Sequence, residues 1–183
     1  MRVEHGALDG VLLFVPSPHR DDRGLFTRTF DTAVAREAGL TPESFIQDSQ
    51  SRSRRGVVRG LHGRSGRGEA KLVRCARGAM YDVLVDARPG SPTFGKTMAV
   101  TLDDESFVTL YVPPGLLHGF QSLTDPVDTC YRIDRAHDPA EDLSVRYDDP
   151  ELGVDWPLPA AGVSARDLAA GSWAELCRRL GLG

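Results

Sequence analysis

Short apolar segments alternate with turn residues along most of the chain. Glycine, proline or a charged cluster closes each segment, and the segments recur at intervals of about ten residues, a spacing typical of a β-sandwich or β-barrel. Nineteen glycines and twelve prolines, scattered without any low-complexity tract, agree with many turns between many strands. We therefore predict an all-β fold, with strands at residues 10–15, 25–30, 45–53, 56–62, 70–75, 79–87, 96–102, 107–112, 118–123 and 128–133.

Helical signals are few and lie outside these strands. Asp31 is a suitable N-cap for a short helix over residues 32–38, which Gly39 would end. Apolar residues recur at helical spacing between residues 164 and 182. The segment that begins at about residue 134 is otherwise rich in Asp, Pro and Ala, and we predict that it forms an irregular wrap over the barrel mouth.

Polar residues inside the predicted strands are the first hint of a site. Strict alternation puts Lys71 on the same face of its strand as Val73 and Cys75. Asp82 lies between two large apolar neighbours on one face of the next strand, where an acid needs a cationic partner or water. The strand at 45–53 is rich in hydrogen-bonding side chains, which is common in strands that line a wet cavity. We also expect the charged segment Asp103-Asp104-Glu105 to be a hairpin loop.

Composition narrows the classes of protein. A length of 183 residues suits one domain over residues 1–183, and a net charge of −4 gives no basic field for a nucleic acid polymer or an anionic membrane. No apolar run approaches a transmembrane helix, and the N-terminus lacks a signal pattern, so we expect a soluble, cytoplasmic protein. Three widely spaced cysteines, Cys75, Cys130 and Cys177, suggest neither a disulfide framework nor a zinc site.

The segment Gly56–His62 delivers an arginine and a histidine from one short strand. A lone histidine is ordinarily a structural residue, so its neighbours must decide its role. Arg59 and His62 are an odd number of positions apart, and a regular strand would send them to opposite faces. A bulge at Gly60 would bring both side chains to the inside.

A set of motifs occurs in order along nearly the whole chain. They are Arg23-Gly24, Gln47 with Ser51, Arg59-Gly-Leu-His62, Lys71-Leu-Val73, Asp82-Val-Leu-Val-Asp86, Ser91-Pro-Thr-Phe-Gly95, Pro113-Pro-Gly115, His118-Gly-Phe120, Tyr131, Asp149-Pro150 and Trp156-Pro157. Together these motifs resemble the dTDP-4-dehydrorhamnose 3,5-epimerase family. The resemblance implies a jelly-roll β-barrel of the cupin type with a few short peripheral helices. It also implies a homodimer that acts without a metal or organic cofactor on a dTDP-linked 4-keto-6-deoxy sugar, inverting C3 and C5.

The chemistry of such an enzyme requires three groups. Inverting a carbon beside a ketone needs a base that removes its proton, a group that holds the enolate oxygen, and an acid on the opposite face. The resemblance implies that His62 is the base and that Asp167 orients it. It implies that Lys71 stabilises the enolate at the C4 oxygen and that Tyr131 is the acid.

The resemblance also implies a set of substrate-binding residues. Arg23 and Arg59 match positions that bind the nucleotide diphosphate, for which guanidinium groups are natural partners. Asp82 is expected to hold the ammonium of Lys71, or else to form a purely structural ion pair. The candidates for hydrogen bonds to sugar and nucleotide are Gln47, Ser49, Ser51 and His118.

The chain departs from the family pattern at several positions. These departures leave open which nucleotide base, phosphate group and hexose of the substrate the site prefers. The family commonly has Asn at Ser49, a Tyr-Gln pair at Gly63-Arg64 and Glu at Arg28. It often has Tyr, Glu and Trp at the positions held here by His137, Asp142 and Tyr147.

Other functions stay open at this point. An enzyme of a deoxysugar pathway that inverts only C3 would share the same residues. A metal-dependent cupin, a nucleotide-sugar ketoisomerase and a non-catalytic sugar-binding barrel are the remaining alternatives. A metal-dependent site needs several convergent ligands, often a His-x-His pair, whereas Gly63 and Arg64 follow His62 here.

Overall fold

The computed structural model describes residues 1–182, which form mostly β-strands with three short α-helices. Two single 3-10 turns, Pro42–Ser44 and Pro139–Glu141, complete the regular structure of this range. The helices are α1 Thr32–Glu37, α2 Ala165–Leu168 and α3 Trp173–Arg179. The strands are β1 Arg2–His5, β2 Leu12–Val15, β3 His19–Asp21, β4 Gly24–Phe26, β5 Gln47–Ser53, β6 Val58–Arg64, β7 Lys71–Arg77, β8 Ala79–Asp86, β9 Thr97–Asp103, β10 Thr109–Val112, β11 Leu116–Ser122, β12 Val127–Ile133 and β13 Asp142–Ser144.

Two antiparallel sheets face each other and enclose the main core. One has the strand order β1-β2-β10-β7-β12-β5, and the other has the order β13-β6-β11-β8-β9. Within residues 1–182 no ladder joins the edges of these two sheets, so the predicted all-β jelly roll is confirmed in the form of a sandwich. A separate hairpin of β3 and β4 stands apart from both sheets.

The alternation of side chains along the central strands sets the inner core. Val73 and Cys75 of β7 pack with Met80 and Leu84 of β8, and all four are buried. The predicted inward faces of these two strands are therefore confirmed. The same alternation brings Lys71 and Asp82 to the space between the sheets.

Two further layers cover the outer faces of the sandwich. Helix α1 and the segment after it pack on the outside of the six-stranded sheet around Phe14 and Leu72. The C-terminal segment packs on the outside of the five-stranded sheet, where Trp173 and Leu176 of α3 contact the cluster around Val83. The prediction that this segment wraps over the mouth is wrong for most of its length, because its apolar side chains bury themselves against the outer face.

Three local predictions have different outcomes. The helix over 32–38 is confirmed as α1, with the Asp31 side chain accepting hydrogen bonds from two amides and Gly39 at a φ of 84°. The strand predicted at 25–30 ends at Phe26, because Phe30 turns away to pack against Phe45 at a ring distance of 6.5 Å. The predicted hairpin at 103–105 is wrong, since β9 and β10 lie in different sheets.

The turn after β8 is organised by a fully buried carboxylate. Asp86 accepts hydrogen bonds from Arg88 through Nε at 2.9 Å and through Nη2 at 2.7 Å. It also accepts hydrogen bonds from the hydroxyls of Ser91 and Thr93, both at 2.6 Å. Burial acts to raise the pKa of Asp86, but the Arg88 guanidinium and the two hydroxyls outweigh it and hold the pKa far below its usual value. The motif Ser91-Pro-Thr-Phe-Gly95 is thus a structural turn built around Asp86.

Replacing Asp86 by Asn should destabilise the fold, because it leaves the Arg88 guanidinium without its carboxylate. We expect a loss of about 3 kcal/mol in the free energy of unfolding near neutral pH, measured by urea denaturation. Glu4→Gln, which removes an exposed carboxylate paired with Arg2, is the matched control and should cost less than about 0.5 kcal/mol.

The same variant predicts a pH dependence. The pKa of Asp86 is lower in the folded chain than in the unfolded chain, so its contribution is present above an unfolded value of about 3.9 and is lost as the pH falls below it. The difference in the free energy of unfolding between the wild type and Asp86→Asn should therefore shrink on acidification. An equal difference at neutral and strongly acidic pH would contradict this assignment.

Candidate active site

A cleft of about 580 Å³ opens between the two sheets and gathers most of the predicted site residues. Seven of them line it, from both walls and from the C-terminal segment. They are Ser51, Arg59, His62, Lys71, His118, Tyr131 and Asp167.

A bulge in β6 places Arg59 and His62 together in this cleft. His62 is paired with His118 of β11, whereas Arg59 is paired with Phe120, so β6 has one more residue than its partner across this step. Gly60 sits at the bulge with a φ of 131°, and a Cβ there would lie 2.5 Å from the Cα of Gly119. The bulge predicted at Gly60 is confirmed, and only a glycine permits this close approach of β6 and β11.

His62 is bonded to a buried carboxylate from the C-terminal segment. Its Nε2 lies 2.6 Å from Oδ1 of Asp167, and the Asp167 side chain is only 4% exposed. Asp167 is in the first turn of α2, which Ser164 caps by accepting a hydrogen bond from the Asp167 amide at 3.0 Å. A hydrogen bond of 2.9 Å from the Val58 amide to the Gly162 carbonyl holds this segment against β6. The predicted contact between His62 and Asp167 is present.

Tyr131 faces the cleft from the opposite sheet. It lies on β12, and its hydroxyl is 3.3 Å from Oγ of Ser51 on the neighbouring strand β5. Its ring meets the His118 ring edge to face at a centroid distance of 6.3 Å. Burial is the main cause that raises the pKa of Tyr131 to about 12, so the phenol keeps its proton through the physiological range.

The partner of Lys71 is not the one expected from the sequence. Its Nζ lies 2.9 Å from Oε1 of Glu69, two residues before Lys71 in the chain. Asp82 instead holds His118, with Oδ2 2.9 Å from Nε2. The expectation that Asp82 holds Lys71 is therefore wrong, because Asp82 lies in the five-stranded sheet beside His118 while Lys71 lies in the facing sheet. The other oxygen of Asp82, Oδ1, is buried without a hydrogen-bond partner within residues 1–182.

Three of the remaining predicted site residues, Gln47, Ser49 and Arg23, lie outside the main cleft. Gln47 and Ser49 line an adjoining depression of about 350 Å³, which shares His62 and Lys71 with the main cleft. Arg23 does not line either cavity, since it is at the tip of the hairpin of β3 and β4, with its side chain 89% exposed and paired with Asp21. The chain as described thus assembles every predicted site residue except Arg23 in or beside the cleft.

Several charged residues beside the cleft were not predicted as site residues. The sequence offered only a partial signal, in the departure from the family pattern at Arg64 and Asp142. Arg64 reaches Glu69 and Asp142, and Asp142 in turn binds Arg166 of α2. Nothing in the local sequence of Glu69 or Arg166 distinguishes them from surface residues.

Two features are absent from the part of the chain that the structure describes, a cluster of metal ligands and a membrane-spanning helix. Between residues 1 and 182, no three His, Cys, Asp or Glu side chains converge in a way that could hold a metal ion. No helix in the same range is long and apolar enough to cross a membrane.

Comparisons with known proteins identify the relatives of this fold and site. A family profile described as dTDP-4-dehydrorhamnose 3,5-epimerase matches residues 5–175. The chain is 41% identical over 152 residues to the dTDP-4-dehydrorhamnose 3,5-epimerase of Methanothermobacter thermautotrophicus, covering 83% of this chain and 82% of that protein. It is 39% identical to the dTDP-4-dehydrorhamnose 3-epimerase of Streptomyces niveus, covering 91% and 81% of the two chains. The solved structure of the rmlC epimerase of Mycobacterium tuberculosis superposes with a TM-score of 0.92 at 38% identity, covering 100% of this chain and 92% of that one.

The bulge generates a prediction about stability. Gly60→Ala places a Cβ against the Gly119 backbone at a positive φ, and we expect it to lower the free energy of unfolding by about 3 kcal/mol or more. Gly90→Ala is the matched control, because Gly90 has a φ of 82° with no atom within 4 Å of the added Cβ. It should cost only about 1 kcal/mol, the conformational part of the effect. Equal losses in chemical denaturation would show that the approach to Gly119 is not what requires the glycine.

Proposed function

We propose that this chain, which belongs to the dTDP-4-dehydrorhamnose 3,5-epimerase family, inverts C3 and C5 of dTDP-4-keto-6-deoxyglucose to give dTDP-4-dehydrorhamnose. The observation that carries the proposal is the cleft in which His62, bonded to Asp167, faces Tyr131 across the gap between the two sheets. Base and acid on opposite walls suit a reaction that removes a proton from one face of a carbon and returns one to the other.

His62 acts as the base in this proposal. With its Nε2–H donated to Asp167, the lone pair resides on Nδ1, and this nitrogen takes the proton from the carbon beside the C4 ketone. Asp167 holds the ring in this tautomer and stabilises the imidazolium that forms.

Lys71 stabilises the enolate, and Tyr131 completes the inversion. Removal of the proton shifts negative charge to the C4 oxygen, and the ammonium of Lys71 stabilises this charge. Tyr131 then delivers its phenolic proton to the opposite face of the same carbon and is reprotonated from solvent, while His62 releases its proton. The raised pKa of Tyr131 supports this role, because it keeps the proton on the phenol until the enolate forms.

The walls of the cleft offer groups for the rest of the substrate. Arg59 lies at the exposed side of the cleft, with its Nε donated to Ser53 at 3.0 Å, and its guanidinium suits the diphosphate. His118, fixed by Asp82, and Ser51 offer hydrogen bonds to the sugar, and Gln47 and Ser49 offer further ones in the adjoining depression. A cytoplasmic location is part of the same proposal.

Inversion at C3 alone is the second candidate function. The 39% identity to a protein named dTDP-4-dehydrorhamnose 3-epimerase favours it. We prefer inversion at both carbons because the family profile over residues 5–175 and the relative at 41% identity are both described as 3,5-epimerases. The two candidates share their first proton transfer and differ only in how the sugar is turned for the second.

We further propose that the protein is a homodimer and that the hairpin of β3 and β4 reaches a second copy. All residues of the two strands are exposed, and Phe26 at its end is 70% exposed. Two strands that pair only with each other are marginally stable in water, and an exposed apolar tip is normally covered. A dimer would also explain how Arg23 can bind the substrate although it lies outside the cleft of its own chain.

The activity is tested by the exchange of solvent deuterium into C3 and C5, followed by proton resonance. His62→Asn should abolish exchange at both carbons, a loss of at least about 10³-fold, because Nδ1 of His62 is the group that takes the proton in this mechanism. Tyr131→Phe should impair inversion at C5 more than exchange at C3. His5→Asn, which alters an exposed histidine on β1, should leave both rates unchanged.

Three outcomes would count against this assignment. Near-normal exchange in His62→Asn would refute the base. Exchange at C3 without any at C5 in the wild type would select the second candidate. A stoichiometric metal on which the exchange depends would favour a metal-dependent cupin.

The dimer and the role of Arg23 are tested together by mixing variants. Arg23→Ala should raise KM about tenfold, and His62→Asn should be inactive. Subunits of the two variants, co-expressed and purified as a mixed dimer, should regain the wild-type KM in the site that keeps His62, since Arg23 of the partner subunit completes it. A KM that stays raised would place Arg23 in its own subunit, and a monomer in light scattering would refute the dimer.

A further inference from the structure

A buried cluster of charges lies directly beneath the cleft, on the side of the adjoining depression. Arg64 is at its centre; it is the last residue of β6, two positions after His62, and its side chain is only 6% exposed. Its Nε donates to Oε2 of Glu69 at 2.9 Å, and its Nη1 lies 3.1 Å from Oδ1 of Asp142. The remaining guanidinium donors reach the carbonyl of Asp138 and Nδ1 of His137. These contacts engage most of the guanidinium donors, and Arg64 does not line the main cleft.

Glu69 connects this cluster to the reacting centre. One of its oxygens accepts from Arg64 and the other is 2.9 Å from the ammonium of Lys71. Burial acts to raise the pKa of Glu69, but the two cations outweigh it and lower the pKa, so the carboxylate is ionised. The side chains of Glu69 and Lys71 are 8% and 12% exposed, which keeps their attraction largely unscreened.

We propose that Arg64 and Glu69 are positioning residues that act as one unit on Lys71, and that this unit sets both the place of the ammonium and the share of its charge that the enolate receives. The inference rests on the proposed function, in which Lys71 faces the C4 oxygen. This inference gives a role to Arg64, a residue that departs from the family pattern and that has no part in the proposed mechanism.

The physical reason is a competition between two cations for one carboxylate. A carboxylate bound to Lys71 alone would neutralise much of the ammonium and draw it away from the substrate oxygen. Arg64 takes the second oxygen of Glu69, and so it reduces the negative charge that Lys71 meets. Conversely, Glu69 separates two cations that would otherwise repel each other, which keeps Lys71 at the cleft.

This balance predicts that each half of the unit is harmful without the other. Arg64→Gln leaves Glu69 with Lys71 as its one cation, and the ammonium becomes over-neutralised. Glu69→Gln removes the carboxylate between Arg64 and Lys71, so the ammonium loses its own partner and is displaced, while Arg64 keeps Asp142. The double variant Arg64→Gln with Glu69→Gln removes both charges together and keeps hydrogen-bonding groups at both positions.

The test measures kcat and KM for deuterium exchange at C3, with the melting temperature of each variant. Each single variant should lower kcat about tenfold, less than the loss of a whole oxyanion donor, while KM stays within about threefold. The double variant should return to within about threefold of the wild-type kcat. Arg67→Gln is the matched control. Arg67 lies on the same loop as Glu69, between β6 and β7, but its side chain is 63% exposed and pairs with Asp134. This variant should leave kcat unchanged.

A wild-type kcat in Glu69→Gln, or losses that multiply in the double variant, would overturn the proposal. If Arg64→Gln does not fold, Glu69→Gln alone and Arg64→Lys decide the question: the first should lose kcat and the second should keep most of it. Failure of the proposed function is a separate result, seen as an inactive wild type. In that case the reaction of Lys71 with an amine-modifying reagent, followed by mass spectrometry, still tests the unit, since Glu69→Gln should accelerate it severalfold and an unchanged rate would refute the positioning role.

Discussion

The close approach of two glycines, Gly60 on β6 and Gly119 on β11, is the constraint on which the cleft depends. The two backbones are so near that a Cβ at Gly60 would lie 2.5 Å from the Cα of Gly119. This contact accommodates the extra residue of β6, and the extra residue turns both Arg59 and His62 to the inside. Without it, a regular strand would present one of the two side chains to the cleft and bury the other against the outer layer.

Three basic groups on the walls of the cleft, His62, His118 and Lys71, are each paired with a carboxylate. Asp167 of α2 holds His62, Asp82 of β8 holds His118, and Glu69 before β7 holds Lys71. Buried charges without partners are costly, so these pairings make a polar cavity compatible with a folded core. They also orient each basic group before a substrate arrives, which reduces the reorganisation that the reaction requires.

The sequence predicted the repeated strands, the inward faces of β7 and β8, and the helix α1, because local alternation and capping decide these features. It did not predict β1, β3 or β13, which are three or four residues long and whose pairing depends on distant partners. The contact of His62 with Asp167 was predicted only because the chain resembles a known family, since no local pattern links residues so far apart. The predicted contact between Asp82 and Lys71 was wrong because alternation determines the face of a side chain but does not reveal which sheet lies opposite.

The position of Asp167 has a consequence for synthesis of the protein. The contact with His62 joins residues 105 positions apart, and it forms through α2, which follows every strand of both sheets in the chain. A growing chain on the ribosome therefore completes the strands of the sandwich while the imidazole of His62 is still without its carboxylate. A chain interrupted before α2 would thus contain every strand that forms the walls of the cleft but not the carboxylate that orients the histidine.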